Sequence, residues 1–395
     1  MIPKKLRETW AFLFLEFQLV LWYIFLNMQF LLALLISLTS VSAFASKARI
    51  RALADSPHLV DPAAVYQRPL QINELENFAT FESGITLPSG FSDGAEASLS
   101  YAFNDKSRWQ VALGHQDPLI GSSRLLLSSM SGTAYPLMQN ALNLLYGFKG
   151  EDTNYVMGVF TSKSDDKTAI LSETSIGVSA GIQMGSLEFF GSYGASNVAE
   201  SGVHKFDGSG SLVTNVYYNL DSTTFFLTWT RLPGRSETNG VENEMHTSQA
   251  VVLGVADSKL KDDYDFFWGT QVISRKIDCH ARNTLECERS FTSTAVPAWF
   301  GMEVQLKPWL IFRGSVKQSF LIDQTRDEVG YPAAVISGAN GAVSDFGSAA
   351  NSTVVAMGLG LKFKNTLIDG LLKAATSQNI TQNDFLTQLA ITYNF

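Results

Sequence analysis

The chain has 395 residues, of which 17% are charged and 46% hydrophobic, and a formal net charge of −8 from 29 basic and 37 acidic side chains. That length allows one large domain or two average ones. An acidic chain without a basic stripe argues against nucleic-acid binding, and this composition suits either a soluble protein or a barrel whose strands alternate between lipid and water.

The N-terminal 45 residues differ from the rest. Lys4, Lys5 and Arg7 make a basic start. An apolar stretch follows from Trp10, broken by Glu16, and a cleaner apolar run covers Phe30 to Leu38. Ser42-Ala43-Phe44-Ala45 then has the small-x-small pattern of a cleavage site. This order reads as a secretory signal peptide over 1–45, with the mature chain beginning at Ser46. It exceeds the usual ~15–30 residues, so either the signal is extended or translation begins near Met28. An uncleaved N-terminal anchor is the other reading. After Ala45 no apolar run approaches the ~20 residues of a membrane helix. An exported chain can still span a membrane as a closed barrel, because its backbone groups pair between strands.

Residues 46–77 carry Pro57, Pro62 and Pro69 and show no long alternation. They fit a disordered lead, a periplasmic extension or a plug inside a lumen. Arg49 to Leu70 (RIRALADSPHLVDPAAVYQRPL) resembles the N-terminal hatch of the long-chain fatty-acid transporter family. The similarity lies in an Arg, a small-apolar stretch, Asp61-Pro62-Ala63 in place of that family's Asn-Pro-Ala, and Gln67-Arg68-Pro69. It implies a plugged barrel that passes hydrophobic ligands.

From Phe78 onward the chain reads as strands. Phe78 to Leu87 is the first candidate, with a turn over Pro88 to Gly94. Ala97, Leu99, Tyr101 and Phe103 share one face, and Trp109, Val111 and Leu113 return after Asn104 to Ser107. Further pairs are joined by short turns at Lys149–Asp152, Met184–Ser186, Asp221–Ser222, Ser258–Asp262, Lys307–Pro308 and Lys364–Asn365. The weakest strand is Thr366 to Leu372. Between pairs, longer polar segments run over about 117–139, 161–172, 195–205, 232–245, 276–290, 322–351 and 373–383. Short turns alternating with long loops are what a transmembrane barrel requires.

The last segment, DFLTQLAITYNF, puts Phe385, Thr387, Leu389, Ile391, Tyr393 and Phe395 on one face. It resembles the closing strand of Gram-negative outer-membrane β-barrels. In those proteins the terminal aromatic residue belongs to the signal read by the barrel-insertion machinery, a role the resemblance gives to Phe395. With both ends periplasmic the strand number is even, so the expected fold is an all-β, antiparallel up-and-down barrel over 78–395. About sixteen strands are expected, with fourteen as the alternative.

Candidate chemistry is sparse. The five histidines show no zinc-protease spacing, and no Gly-x-Ser-x-Gly elbow is present. His115-Gln116-Asp117 lies near Ser122 and Ser123, but nothing orients them. No enzymatic activity, cofactor or metal is expected. Aromatic residues near strand ends, among them Tyr146, Trp229 and Trp309, suit the headgroup level.

Taking Phe395 as lipid-facing, parity places Glu96, Asn143, Glu188, Asn215, Asp265, Gln271, Glu303, Gln305, Arg313 and Lys317 on the lumen face as pore-lining residues. A basic residue facing lipid at the midplane costs about 2–4 kcal/mol, which points Arg313 and Lys317 inward. The reading is a porin-like outer-membrane channel for passive diffusion of small hydrophilic solutes, with 322–351 as the constriction. A transporter of hydrophobic ligands and a closed structural or adhesive barrel are the alternatives. Membrane lipid and small solutes are the expected partners, with a homo-oligomer allowed.

An exported protein meets an oxidising compartment. Cys279 and Cys287 therefore read as one local disulfide, worth roughly 2–3 kcal/mol in the loop-entropy model. Thiol labelling of unreduced, denatured protein should find no free cysteine, and labelling of both would refute the bond.

Overall fold

The computed structural model describes residues 47–83, 95–115, 117, 121, 124, 135–136, 138–167, 170–261, 264–281, 289–326, 353–376 and 388–395. A short helix α1 (Lys47–Ala52) and two 3₁₀ turns, Ala64–Tyr66 and Pro69–Glu74, precede all strands. The strands are β1 (Phe78–Ser83), β2 (Glu96–Asn104), β3 (Ser107–Leu113), β4 (Leu142–Lys149), β5 (Thr153–Asp166), β6 (Leu171–Met184) and β7 (Leu187–Ser201). They continue with β8 (His204–Asp207), β9 (Ser211–Leu220), β10 (Thr223–Thr238), β11 (Val241–Lys261), β12 (Tyr264–Ala281) and β13 (Arg289–Lys307). The last four are β14 (Leu310–Arg326), β15 (Thr353–Phe363), β16 (Thr366–Thr376) and β17 (Gln388–Asn394).

Each strand pairs antiparallel with its neighbours, and β1 closes the ring by pairing both β2 and β17. β8 and β9 both lie between β7 and β10, so they form one interrupted wall strand and the barrel has 16 strands. Among the described residues no helix is long and apolar enough to cross a membrane. Closure matters because hydrocarbon offers no partner to an unpaired strand edge.

The alternation expected from sequence decides which face is which. Leu99, Tyr101, Leu144, Tyr146, Met157, Val159, Phe189, Leu227, Leu253, Phe266, Phe300, Met357, Ile391 and Phe395 are exposed on the outside. Their immediate neighbours, such as Ser100, Asn143, Glu188 and Ala390, are buried in the bore. Solvent-exposed apolar side chains in a continuous belt have a favourable environment only in lipid.

Three polar segments read as long loops are instead strand. β5 and β6 pair as far as Asp166↔Leu171, β7 and β8 as far as Ser201↔His204, and β10 and β11 as far as Thr238↔Val241. The connections there shrink to 167–170, 202–203 and 239–240, the last with Asn239 and Gly240 at positive φ. A membrane strand needs about 9–11 residues, whereas β11 has 21 and β13 has 19. The excess projects beyond the bilayer, where both faces are wet. Apolar alternation stops there although backbone pairing continues. Of the constriction expected over 322–351, residues 322–326 continue β14 and the rest lie outside the described residues. Cys287 and the Cys279 side chain also lie outside them.

The wall is packed tightly enough inside to select small residues. Gly177 sits opposite Phe160, and a Cβ there would come within 1.8 Å of the Phe160 ring. Gly177→Val should therefore cost about 1–3 kcal/mol. Heat unfolding in detergent checks this, and an unchanged midpoint would contradict the close packing.

Candidate functional site

The bore is occupied by the protein's own residues 47–76. Two apolar clusters seat this segment. Leu53 and Leu59 pack with inward-facing Phe190, Tyr217, Phe226, Ala256, Phe267 and Trp299. Val65, Leu70, Ile72 and Leu75 pack with Phe78, Leu145 and Val156. Ala48 and Ala52 of α1 rest on Leu371. Helix packing on a sheet needs small residues at the point of closest approach, and the Ala48/Ala52 spacing supplies them on one helical face.

Ion pairs fix the register of the segment in the wall. Arg49 donates through Nε (2.9 Å) and Nη2 (3.2 Å) to the two oxygens of Glu303, and through Nη1 to the Val60 carbonyl (3.2 Å) and Asp61 (3.3 Å). Arg68 makes the same bidentate contact with Glu188, with Nε at 2.8 Å, and adds Asn219 at 3.0 Å and the Pro57 carbonyl at 3.1 Å. Its guanidinium also lies 4.9 Å from the centre of the Tyr217 ring. Two-pronged guanidinium–carboxylate contacts are strong and directional. Lys47 reaches Glu96 with its ammonium and Glu82 with its backbone amide. Burial pushes the Asp61 carboxyl above the usual range, while Arg49 and the Ala63 amide pull it down.

The pore-lining residues named from sequence meet different fates. Glu96 binds Lys47 and His115, whose ring stacks on Tyr66 with centroids 3.7 Å apart. Asn143 donates to the His115 carbonyl. Glu188 and Glu303 hold the segment's arginines. Arg313, on β14, joins Glu303 to Asp369 and is fully buried. Asp265 faces His58 at 3.7 Å, and Asn215 accepts from Thr228 at 2.6 Å. Gln305 is exposed near the β13–β14 turn. Gln271 and Lys317 are placed apart from these groups, on the wall of a cavity described next. His115 is engaged by Glu96 and Tyr66, and Ser122 and Ser123 lie outside the described residues. Among the described residues no group of three or more side chains could hold a metal ion.

Beyond the segment, between it and the inner faces of β9 to β14 on the side away from the end that holds Phe395, lies a cavity of about 370 Å³. Ala54, Asp55, Pro57 and Gln67 form its floor. Tyr217, Phe226, Val252, Ile273 and Trp299 line it with apolar surface, and Thr228, Thr230, Gln271, Arg275 and Lys317 add polar groups. The Trp299 indole donates to Ser56 Oγ at 3.2 Å, tying wall to floor. These rings sit on the inward parity, against the polar pattern expected there. Aromatic residues on the nominally wet face were the available signal for an occupied bore.

A second inward element was not expected. Between β3 and β4, Arg124, Tyr135 and Met138 pack against inward-facing wall residues, and Arg124 is fully buried. Arg124 donates to Asn197 (2.7 Å), Ser175 (2.6 Å), the Pro136 carbonyl (2.9 Å) and Glu173 (3.4 Å). Burial lowers its pKa to about 10 against the pull of Glu173, which leaves it charged at neutral pH. Tyr135 packs on Phe206, and Met138 on Phe160.

A closed antiparallel barrel with a lipid-facing belt, short turns at the end that holds Phe395 and a filled bore defines the class: an outer-membrane β-barrel of the Gram-negative type. No protein-family model matches the chain, and no curated protein matches it in sequence. Among solved structures it is similar to a Pseudomonas aeruginosa FadL homologue (8% identity, 91% of this chain and 99% of that one, TM-score 0.43). It is also similar to the outer-membrane channel DcaP of Acinetobacter baumannii (11% identity, 81% and 96%, TM-score 0.39) and to the Ralstonia pickettii toluene transporter TbuX (11%, 88% and 98%, TM-score 0.34).

Removing one member of a buried ion pair leaves the other unpaired, at about 3–5 kcal/mol. Arg124→Met should destabilise the barrel by that order, and Arg124→Met with Glu173→Met should recover most of the loss. Denaturant midpoints in detergent give both values. A double variant as unstable as the single one would contradict the pairing.

Proposed function

We propose that this protein is an outer-membrane channel for small amphipathic solutes, closed at rest by residues 47–76 acting as a plug. The observation that carries this reading is the cavity above the segment, whose lining mixes aromatic and aliphatic side chains with polar and charged ones. A hydrated, charge-lined bore would suit sugars and ions. Here Leu53 and Leu59 of the segment already cover the inward rings, and the remaining space is walled by Tyr217, Phe226, Val252, Ile273 and Trp299 together with Asp55, Gln67, Thr228, Thr230, Gln271, Arg275 and Lys317. A lining that offers both apolar and polar surface suits a solute that carries both. A solute entering from the outer end would gather there, and its passage would require the segment to shift. Insertion through the terminal strand fits the same reading: Phe395 stacks on Tyr393 at the lipid face, next to Tyr101.

Liposome swelling tests this. Short-chain alcohols and small phenols should enter faster than a sugar of similar size. Val252→Trp, which fills the cavity from the wall, should remove that difference while the barrel still folds. Equal rates for both solute types in the wild type would favour a hydrophilic porin, and entry of neither a closed structural barrel.

A further inference from the structure

Four ion pairs between the inner segment and the wall run in the same sense. Lys47 meets Glu96, Arg49 meets Glu303, Arg68 meets Glu188, and His58, when protonated, meets Asp265. The cation is on the segment and the carboxylate on the wall each time. The Lys47 amide adds Glu82 at 3.1 Å. Two wall cations among the described residues, Arg313 and Arg108, are engaged with groups other than these carboxylates alone. Arg313 lies between Glu303 and Asp369, and Arg108 turns to the Glu76 carbonyl at 2.6 Å and to Asn77. Two buried wall oxygens, Asp265 Oδ1 and Asp369 Oδ2, have no hydrogen-bond partner among the described residues.

We propose that the wall beneath the cavity is a cation-selective passage, and that Lys47, Arg49 and Arg68 are its tethered occupants. This rests on the plugged-channel reading above. When the segment withdraws, Glu96, Glu188 and Glu303 lose their cationic partners on it and face water, keeping only the wall groups His115, Asn219 and Arg313. Carboxylates along a low-dielectric bore draw in cations and repel anions. The bidentate seats at Glu188 and Glu303 match a planar guanidinium, and Glu96 matches an ammonium. The solute class favoured in the bore is therefore a small amphipathic molecule carrying one such group. Arg313 does not reverse the sign, because two carboxylates flank it.

The test uses the full chain in planar bilayers under a potassium chloride gradient. Arg68→Ala and Glu188→Ala break the same ion pair from opposite sides. Both should conduct more than the wild type. Arg68→Ala, which leaves the wall acid bare, should pass potassium several-fold more readily than chloride. Glu188→Ala, which leaves a guanidinium in the bore, should bring that ratio back toward one. Arg49→Ala against Glu303→Gln repeats the comparison at the second seat, so that misfolding of one variant does not decide the matter. Equal ratios in two open variants, or a higher ratio in Glu188→Ala, overturn the inference and leave the plug intact as an idea. No added conductance at either seat overturns the plug reading and this inference with it.

Discussion

Backbone pairing without an edge is the constraint on which the rest of this molecule depends. A strand edge in hydrocarbon leaves amides and carbonyls with no partner, at several kcal/mol each. The chain meets this by returning β17 to β1, with Phe78 opposite Asn394. Everything on the outside follows from closure, because each strand then has one face for lipid and one for the bore. Everything on the inside is a second problem. A ring of this size encloses more space than its own side chains fill. Inward Glu188, Glu303 and Asp369 cannot be left dry without counter-charges. Residues 47–76 supply both volume and cations, and Arg313 completes the balance from the wall.

The barrel was readable from sequence because lipid imposes a period of two. Leu142, Leu144, Tyr146 and Phe148 against Asn143, Leu145 and Gly147 is a pattern that local inspection recovers. Strand ends beyond the membrane were misread for the same reason. Thr161 to Asp166 and Leu232 to Thr238 face water on the outside, so nothing enforced an apolar alternate, yet the ladder goes on.

The contents of the bore were not readable in that way. Parity puts Glu188, Glu303 and Arg313 on one face, but a face says nothing of a partner. Arg49 and Glu303 are 254 positions apart, and Arg68 and Glu188 are 120. What the sequence did contain was a proline-broken stretch carrying Lys47, Arg49 and Arg68 ahead of the first strand, and aromatic residues on the inward parity. Phe190, Phe226, Phe267 and Trp299 made sense only once Leu53 and Leu59 were placed against them.

The seam between β17 and β1 has a kinetic side. It joins the two ends of the barrel, so it carries the largest sequence separation of any pairing in the wall, and such contacts form late. The inner helix touches the strands beside that seam, with Ala48 and Ala52 on Leu371 and Lys47 on Glu82 of β1 itself. The segment also runs into β1 with only Leu75 to Asn77 between its last 3₁₀ turn and the first strand. A tether so short keeps the segment beside the growing sheet while later strands are added. The ring then has to shut around an occupant that is already in place, and sealing the wall and filling the bore become one step.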